Sequence, residues 1–496
     1  MSDAGKGVRR ALAFSFIERW LSIIIALGSN VLLARLLSPE QVGIFSVSLS
    51  VIGVAQVLRD FGVVNYVIQE KELQQDSLRT AFGLSLLLGG GLFLVVVTAA
   101  PFIADFYREA LVRDTLWVCA LNFLLLPFAT VTLALLRREM AFRALAVIGL
   151  SSAALGAVVS IGLAWAGQGT MSLAIGSVVT NAANCVGAWI ARPDSARLRP
   201  NLKAWRRLLG FGAQSSLTGV ITSVSMDVND LAVGKLMGFG PVAILSKAQG
   251  LMQLFHRDVM TAIRNVAYPA YAKAVREGED LEARYMTSVT HVTATAWPFY
   301  GFVSLYALET LRLLFGSQWD AAATLVPWYC LCGAVAATAN LINPLMLAAG
   351  RIDLLTKVEL LWQPLRAAMI IVAALWFRSM LACAVALLVA LLLQVPLLYA
   401  AKARFMRNDW RAWTRNLARS AAAAVFSLLA PAAIACYYGF DRATPMPAAA
   451  FAAAILLCML SWIPGLLLAR HPLTLDPVFL KFRAKLGLAL PAQRSP

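Results

Sequence analysis

The sequence predicts an all-α integral membrane protein of about fourteen transmembrane helices, and three observations carry that prediction. Hydrophobic residues make up 60% of the chain and charged residues 14%, with a mean hydropathy of +0.72, whereas a soluble protein has about 45–50% apolar and about 25% charged residues. Apolar runs of about 20 residues recur from Phe14 to Leu468, which consumes the 496-residue length in membrane crossings and leaves no room for a sizeable soluble domain. The formal charge of +17 comes from 43 Lys and Arg set in short clusters between those runs, a topological pattern rather than a nucleic-acid surface.

The first span, 14 to 37, follows MSDAGKGVRR. It is too long for a signal peptide and lacks a small-residue cleavage site, so it reads as a retained helix. Five more spans follow at 43–67, 80–103, 114–136, 144–166 and 170–190. The segment RPDSARLRPNLKAWRRLLG (192–210) then combines prolines with dense positive charge, as a linker between two halves would. Beyond it lie spans at 210–236, 241–271, 288–312, 322–348, 358–377, 380–400, 416–438 and 446–469. The span 241–271 carries Lys247, His256, Arg257, Asp258 and Arg264, and it can cross a bilayer only if those groups face protein or water.

With a cytoplasmic N-terminus, the inside gaps hold Arg137, Arg138 and Arg143, the 192–207 cluster, Lys273, Arg276 and Arg284, then Arg351 and Lys357, Lys402 to Arg415, and the basic tail. The opposite gaps hold only Arg108, Arg113, Arg378 and Arg442 apart from helix-end residues. That asymmetry places both termini in the cytoplasm. ARLLSPEQVGIFSVS (34–48) also lies on GKLMGFGPVAILSKA (234–248) without a gap, pairing Arg35 with Lys235, Leu36 with Leu236, Val42 with Val242, Ile44 with Ile244 and Ser46 with Ser246. The expected organisation is a lobe at 1–209, a second at 210–401, each of six helices in the same orientation, and a C-terminal helix pair with its tail at 402–496.

An ionised side chain in mid-bilayer costs at least about 2.5–3.5 kcal/mol, so charges inside spans are candidates for function. They concentrate in the first two helices of each half: Glu18 and Arg19, Arg59 and Asp60, Asp227 and Asp230, then Lys247, Arg257, Asp258 and Arg264. On a 3.6-residue period Gln253, His256, Arg257, Arg264 and Tyr271 share one face of the eighth span. Two arginines there, with Asp258 pointing about 100° from Arg257, suit an anion, and a guanidinium fork suits phosphate or pyrophosphate. Arg19 could join them, and Glu18, Asp60, Asp227 and Asp230 are candidates for binding a coupling proton or cation. The bland alternatives are helix packing for Ser46, Ser50 and Gly53, snorkelling for Glu18 and Arg19, and internal neutralisation for the aspartates.

Other chemistry finds little support. The seven cysteines fall inside spans without a CxxC pattern, and three histidines make a His-based metal site improbable. The run GGG at 89–91 lacks the lysine and hydroxyl of a phosphate loop. No catalytic residue, metal or cofactor is expected. Pro364 and Arg366 permit a bend in the eleventh span.

The stretch from Phe14 to Gln69, and within it ARLLSPEQVGIFS followed by LRDFGV, resembles the opening two helices of bacterial polysaccharide transporters, the oligosaccharide flippases of the multidrug/oligosaccharidyl-lipid/polysaccharide exporter superfamily. The resemblance implies an inner-membrane flippase. Its substrate would be an oligosaccharide on undecaprenyl pyrophosphate, moved from the cytoplasmic to the periplasmic leaflet for exopolysaccharide, capsule or O-antigen assembly. Implied partners are that lipid-linked substrate, the bilayer, a glycan polymerase and other assembly proteins, with no nucleic acid. In related peptidoglycan-precursor flippases, charged residues of the first and eighth helices line a cationic cavity. Glu18 with Arg19, and Arg257 with Arg264, occupy similar places, although the order acid then base at 18 and 19 departs from that pattern. The expected binding set is therefore Arg19, Gln253, His256, Arg257 and Arg264, with the thirteenth and fourteenth spans forming a groove for the lipid tail. The rivals are a drug or cation antiporter of the same fold, which would want an acidic cavity, and a membrane glycan polymerase or ligase, which would want larger external loops than DFYREALVRD (105–114) provides.

Overall fold

The computed structural model describes residues 21–60, 64, 66–67, 74–196, 199–203, 205, 225, 227–440, 445–476 and 479–480, and among these all regular structure is helical. The first elements are α1 (Leu21–Leu36), α2 (Pro39–Asp60), α3 (Gln75–Tyr107), α4 (Ala110–Arg138), α5 (Phe142–Trp165), α6 (Thr170–Ala191) and α7 (227–237). Next, α8 joins Phe239–Gln253 through a π-helical turn, Leu254–Val259, to Met260–Glu277. Then come α9 (Leu281–Leu305), a short helix Ala307–Leu314, and α10 in two pieces, Val326–Ala337 and Ile342–Ala348. The last four are α11 (Ile352–Phe377), α12 (Met380–Ala403), α13 (Trp410–Tyr438) and α14 (Ala448–Leu468). Among the described residues nine helices are long and apolar enough to cross a bilayer: α3 to α6 and α10 to α14.

Local chemistry sets several ends. Ser38 caps α2 in a capping box: its Oγ accepts from the Gln41 N–H at 3.3 Å while Gln41 Oε1 accepts from the Ser38 N–H at 3.0 Å, and Pro39 fills the first helical position. Asp280 and Asp409 accept from the Ala283 and Ala412 amides, so α9 and α13 begin earlier than hydropathy alone predicts. The two matched sequence stretches fold alike. A helix ends just before Ser38 and again before Gly238, and new helices start at Pro39 and Phe239, the residues that the gapless overlay pairs.

One compact unit takes residues up to Ile244 with Gln363–Arg378; the other takes Leu245–Trp362 with the chain from Ser379 onward. In the first, α4 packs on α2, α3 and α6, and α5 packs on α6. Small residues bring α5 and α6 together: a Cβ on Gly156 would lie 1.8 Å from Thr180 Oγ1, and one on Gly176 1.7 Å from Ser160 Oγ. Between α4 and α6, Asn181 Nδ2 donates to Asn122 Oδ1 at 2.9 Å and Asn122 Nδ2 to Ser177 Oγ at 3.2 Å, so the polar groups satisfy one another. In the second unit α9 packs on α10, α13 and α14.

Prolines within these helices leave carbonyls four residues earlier without a backbone donor, and in lipid each needs another. Side chains of neighbouring helices supply three of them. Trp117 Nε1 donates to Val97 O at 3.2 Å behind Pro101, Trp462 Nε1 to Ala294 O at 2.9 Å behind Pro298, and Ser461 Oγ to Ser427 O at 3.0 Å behind Pro431. The last two fix α14 against α9 and α13.

Contacts join helix ends within each unit. In the first, Asn201 donates to Arg79 O, Arg138 to Val67 O and Arg192 pairs with Glu139, while Thr170 Oγ1 donates to Gln41 O and Tyr107 Oη to Leu231 O at the other ends of these helices. In the second, Lys402 pairs with Glu282 at the start of α9, and beyond the end of α9 the Met446 N–H donates to Glu309 Oε1.

Candidate functional site

In the second unit the polar interior is built on two irregular helices. The π turn of α8 carries His256 and Arg257, and α10 loses its regular ladder over 338–341, where the Ile342 N–H bonds to Ala339 O rather than to Thr338 O. Asn340 sits in that break. Arg264 Nη1 donates to Asn340 Oδ1 at 3.0 Å and Nη2 reaches Thr261 Oγ1 at 3.4 Å, while Asn340 Nδ2 lies 3.3 Å from His256 Nδ1. Arginine can only donate, so the amide oxygen faces it and the amide NH2 must donate to His256. His256 Nδ1 is then an acceptor, and the imidazole is neutral with its proton on Nε2. Among the described residues the hydrogen-bond partners of Arg264 are thus neutral groups, which hold its charge in place without cancelling it.

The other predicted members are placed differently. Arg257 is exposed and Gln253 is half-buried at the start of the π turn. A π turn advances less per residue than an α turn, so a face drawn on a uniform period through 253–271 does not carry across it. Tyr271 is fully buried, and Lys247 is buried over the rings of Phe315 and Trp319, at 4.6 and 5.1 Å.

In the first unit Asp227 and Asp230 lie one turn apart on α7, both half-buried. A Cβ on Gly53 would stand 2.8 Å from Asp227 Oδ2, so the glycine lets the carboxylate rest against α2. Glu18 and Arg19 lie outside the described residues, as does the side chain of Asp60. Asn340 is not among the sequence-predicted members, although its signal is there: Thr338, Asn340 and Asn343 stand just before Pro344 inside an otherwise apolar run.

A second feature is apolar. Thr295, Pro298, Phe299 and Phe302 of α9 face Ile455, Cys458, Met459 and Trp462 of α14 across a cavity of about 360 Å³. Among the described residues no group of His, Cys, Asp and Glu is arranged to hold a metal.

The family model described as polysaccharide biosynthesis protein matches residues 32–324. The chain belongs to that family. A relative is the lipopolysaccharide biosynthesis protein WzxC of Escherichia coli (strain K12), 25% identical over 68% of this chain and 69% of its own. Another is the succinoglycan biosynthesis transport protein ExoT of Rhizobium meliloti (strain 1021), 22% identical over 63% of this chain and 64% of its own. The lipid II flippase MurJ in an inward closed conformation shares the fold with a TM-score of 0.71 at 14% identity, covering 92% of this chain and 97% of that one. The polysaccharide-transporter resemblance of the N-terminal helices therefore holds for the family, and the chain is a multi-pass protein of the bacterial inner membrane. The family match takes in Asp227, Asp230, His256 and Arg264 and ends before Asn340.

Proposed function

We propose that this protein flips an oligosaccharide linked to undecaprenyl pyrophosphate from the cytoplasmic to the periplasmic leaflet for exopolysaccharide, capsule or O-antigen assembly, without catalysing a covalent step. The observation that carries the reading is Arg264, a guanidinium on α8 held by Asn340 and Thr261, with a neutral His256 behind Asn340, and left for an anion. Arg257, Gln253 and Arg19 complete the headgroup site. The apolar cavity between α9 and α14 takes part of the polyprenyl tail, which deepens the expected tail groove by adding α9 to it. Asp227 and Asp230, with Glu18 and Asp60, bind and release the coupling proton or cation.

The fold would be fourteen spans in two six-helix lobes, 1–209 and 210–401, plus a helix pair with the tail at 402–496. The helix-end contacts within each unit and the basic clusters support this arrangement, with both termini in the cytoplasm. Exchange between lobe arrangements then exposes the headgroup to either leaflet. A glycan polymerase and other assembly proteins would take up the product. An antiporter of cationic drugs would find Arg264 repulsive, which disfavours that reading.

The test is the Arg257→Gln/Arg264→Gln double variant in proteoliposomes carrying a labelled lipid-linked sugar. Translocation should be lost while insertion and folding are retained; wild-type translocation by the double variant would rule the assignment out.

A further inference from the structure

The break in α10 raises the same question as the prolines: Thr338 O has lost its backbone donor. Its replacement comes from α12, where Tyr399 Oη lies 2.7 Å from Thr338 O. The phenol has one proton and two lone pairs, and all three are committed. The carbonyl can only accept, so the proton goes to Thr338. Trp413 Nε1 can only donate, and does so to Tyr399 Oη at 2.8 Å. Tyr285 Oη, 3.0 Å away, must then donate as well, which leaves one self-consistent pattern of hydrogen bonds.

Tyr285, Tyr399 and Lys402 are all buried, and the rest of the cluster ties the phenol pair to the ends of three helices. Lys402 Nζ pairs with Glu282, donates to Asn408 Oδ1 at 2.8 Å, and stands 4.7 Å over the Tyr285 ring. Asn408 Nδ2 donates to Tyr399 O at 3.0 Å, and the Asp409 N–H to Glu282 Oε1 at 3.2 Å. The break that Tyr399 holds carries Asn340 two residues further on, and Asn340 holds Arg264.

We propose that Tyr399 is a positioning residue for the substrate headgroup: by replacing the missing backbone donor at Thr338 it fixes the α10 break, and through Asn340 the place of Arg264. This rests on the reading of Arg264 as a pyrophosphate ligand. The Glu282–Lys402 cluster, at the end of the same helices, makes that position depend on how α9, α12 and α13 are joined there.

The test uses the full-length protein in proteoliposomes with a fluorescent undecaprenyl-pyrophosphate-linked disaccharide, reading the half-saturating concentration. Tyr399→Phe keeps the ring and removes the hydroxyl with its three hydrogen bonds, of which only the one to Thr338 O bears on the site, so it should raise that concentration about three- to tenfold, the range of one hydrogen bond. Asn340→Ala should raise it at least as much. The double variant should be within about twofold of Asn340→Ala alone, because both changes act on one link. Multiplying effects would make Tyr399 a packing residue and overturn the proposal. An unchanged Tyr399→Phe beside impaired Asn340→Ala and Arg264→Ala overturns it too, while leaving the flippase reading standing; an unchanged Arg264→Ala overturns both. If Tyr399→Phe does not fold, Trp413→Phe, which removes one donor to the same oxygen, must shift the concentration in the same direction, and no shift refutes the relay.

Discussion

Replacing Asn340 by aspartate changes the charge at the site with almost no change in shape. The amide oxygen already lies 3.0 Å from Arg264 Nη1, so the carboxylate would take its place as a direct ion-pair partner. Two unit charges about 4 Å apart attract by about 4 kcal/mol at an effective dielectric constant near 20. A phosphate oxygen arriving at Arg264 would then compete with a permanent carboxylate and approach a pair of net charge zero. Loss of one charge-assisted hydrogen bond is worth about 1.5–3 kcal/mol, or about 10- to 150-fold in affinity. The fold should not suffer, because the new pair neutralises a half-buried arginine, and His256 can carry its proton on Nδ1 instead of Nε2 and donate to the second carboxylate oxygen. Asn340→Asp should therefore keep its unfolding temperature, followed by intrinsic fluorescence in detergent, while translocation of the labelled lipid-linked sugar at subsaturating concentration drops at least about tenfold. If Arg264 were a packing residue whose charge serves no ligand, the variant would transport normally and be more stable; that pair of results would refute the reasoning.

Two other perturbations follow from contacts elsewhere in the fold. A Cβ on Gly43 would lie 1.9 Å from Phe239 O, where α2 meets the start of α8, so Gly43→Ala should lower stability by about 1–3 kcal/mol, measured as a drop in unfolding temperature, with no drop counting against this packing. His471, beyond the end of α14, accepts from the Leu473 N–H at 3.1 Å through Nδ1 and meets Ser420 Oγ at 3.0 Å through Nε2, so the fold holds it neutral; burial, with help from His291 and Arg419, pushes its pKa down to about 4. The unfolded chain takes up a proton near pH 6.5 and the folded chain does not, so this contribution is complete above about 6.5 and declines as pH falls toward 4, by of order 2 kcal/mol. Unfolding temperatures from pH 7 to 4.5 should fall more steeply for the wild type than for His471→Gln, and parallel curves would contradict the assignment.

Much of the fold is legible because lipid constrains it so tightly. A span needs about 20 apolar residues whatever its partners, so hydropathy finds the long helices. It places their ends less well where a cap lies outside the apolar run: Asp280 starts α9, and Asp409 starts α13, several residues before their hydrophobic stretches. The repeat was readable to the residue at Ser38 and Gly238, since a tight turn between two helices leaves little freedom in register. The candidate site was legible only in its charges. Arg264 and His256 announce themselves in a stretch predicted as a span, but the residue that joins them lies 76 positions after Arg264, in a break that hydropathy reads as one continuous span from 322 to 348.

A proline or a broken turn in a membrane helix does state, in the sequence, that a carbonyl will need a donor; it cannot state which helix will provide it. The observed donors are Trp117, Trp462, Ser461 and Tyr399, each reaching across to a neighbouring helix, and three of the four are aromatic groups whose polar tip sits on an apolar body. Such a side chain can cross lipid-facing packing and still deliver one hydrogen bond. The orphaned carbonyl and the amphipathic donor therefore specify helix neighbours together, and at Thr338 the same bond that repairs the helix also sets the distance between Asn340 and Arg264. A sequence in which Tyr399 and Asn340 were exchanged for apolar residues would show the same hydropathy profile and the same spans, yet it would leave Thr338 O without a donor and Arg264 without its amide partner. What distinguishes the functional chain from that apolar counterpart is a short list of hydrogen bonds, and it is there that transport should be most sensitive to substitution.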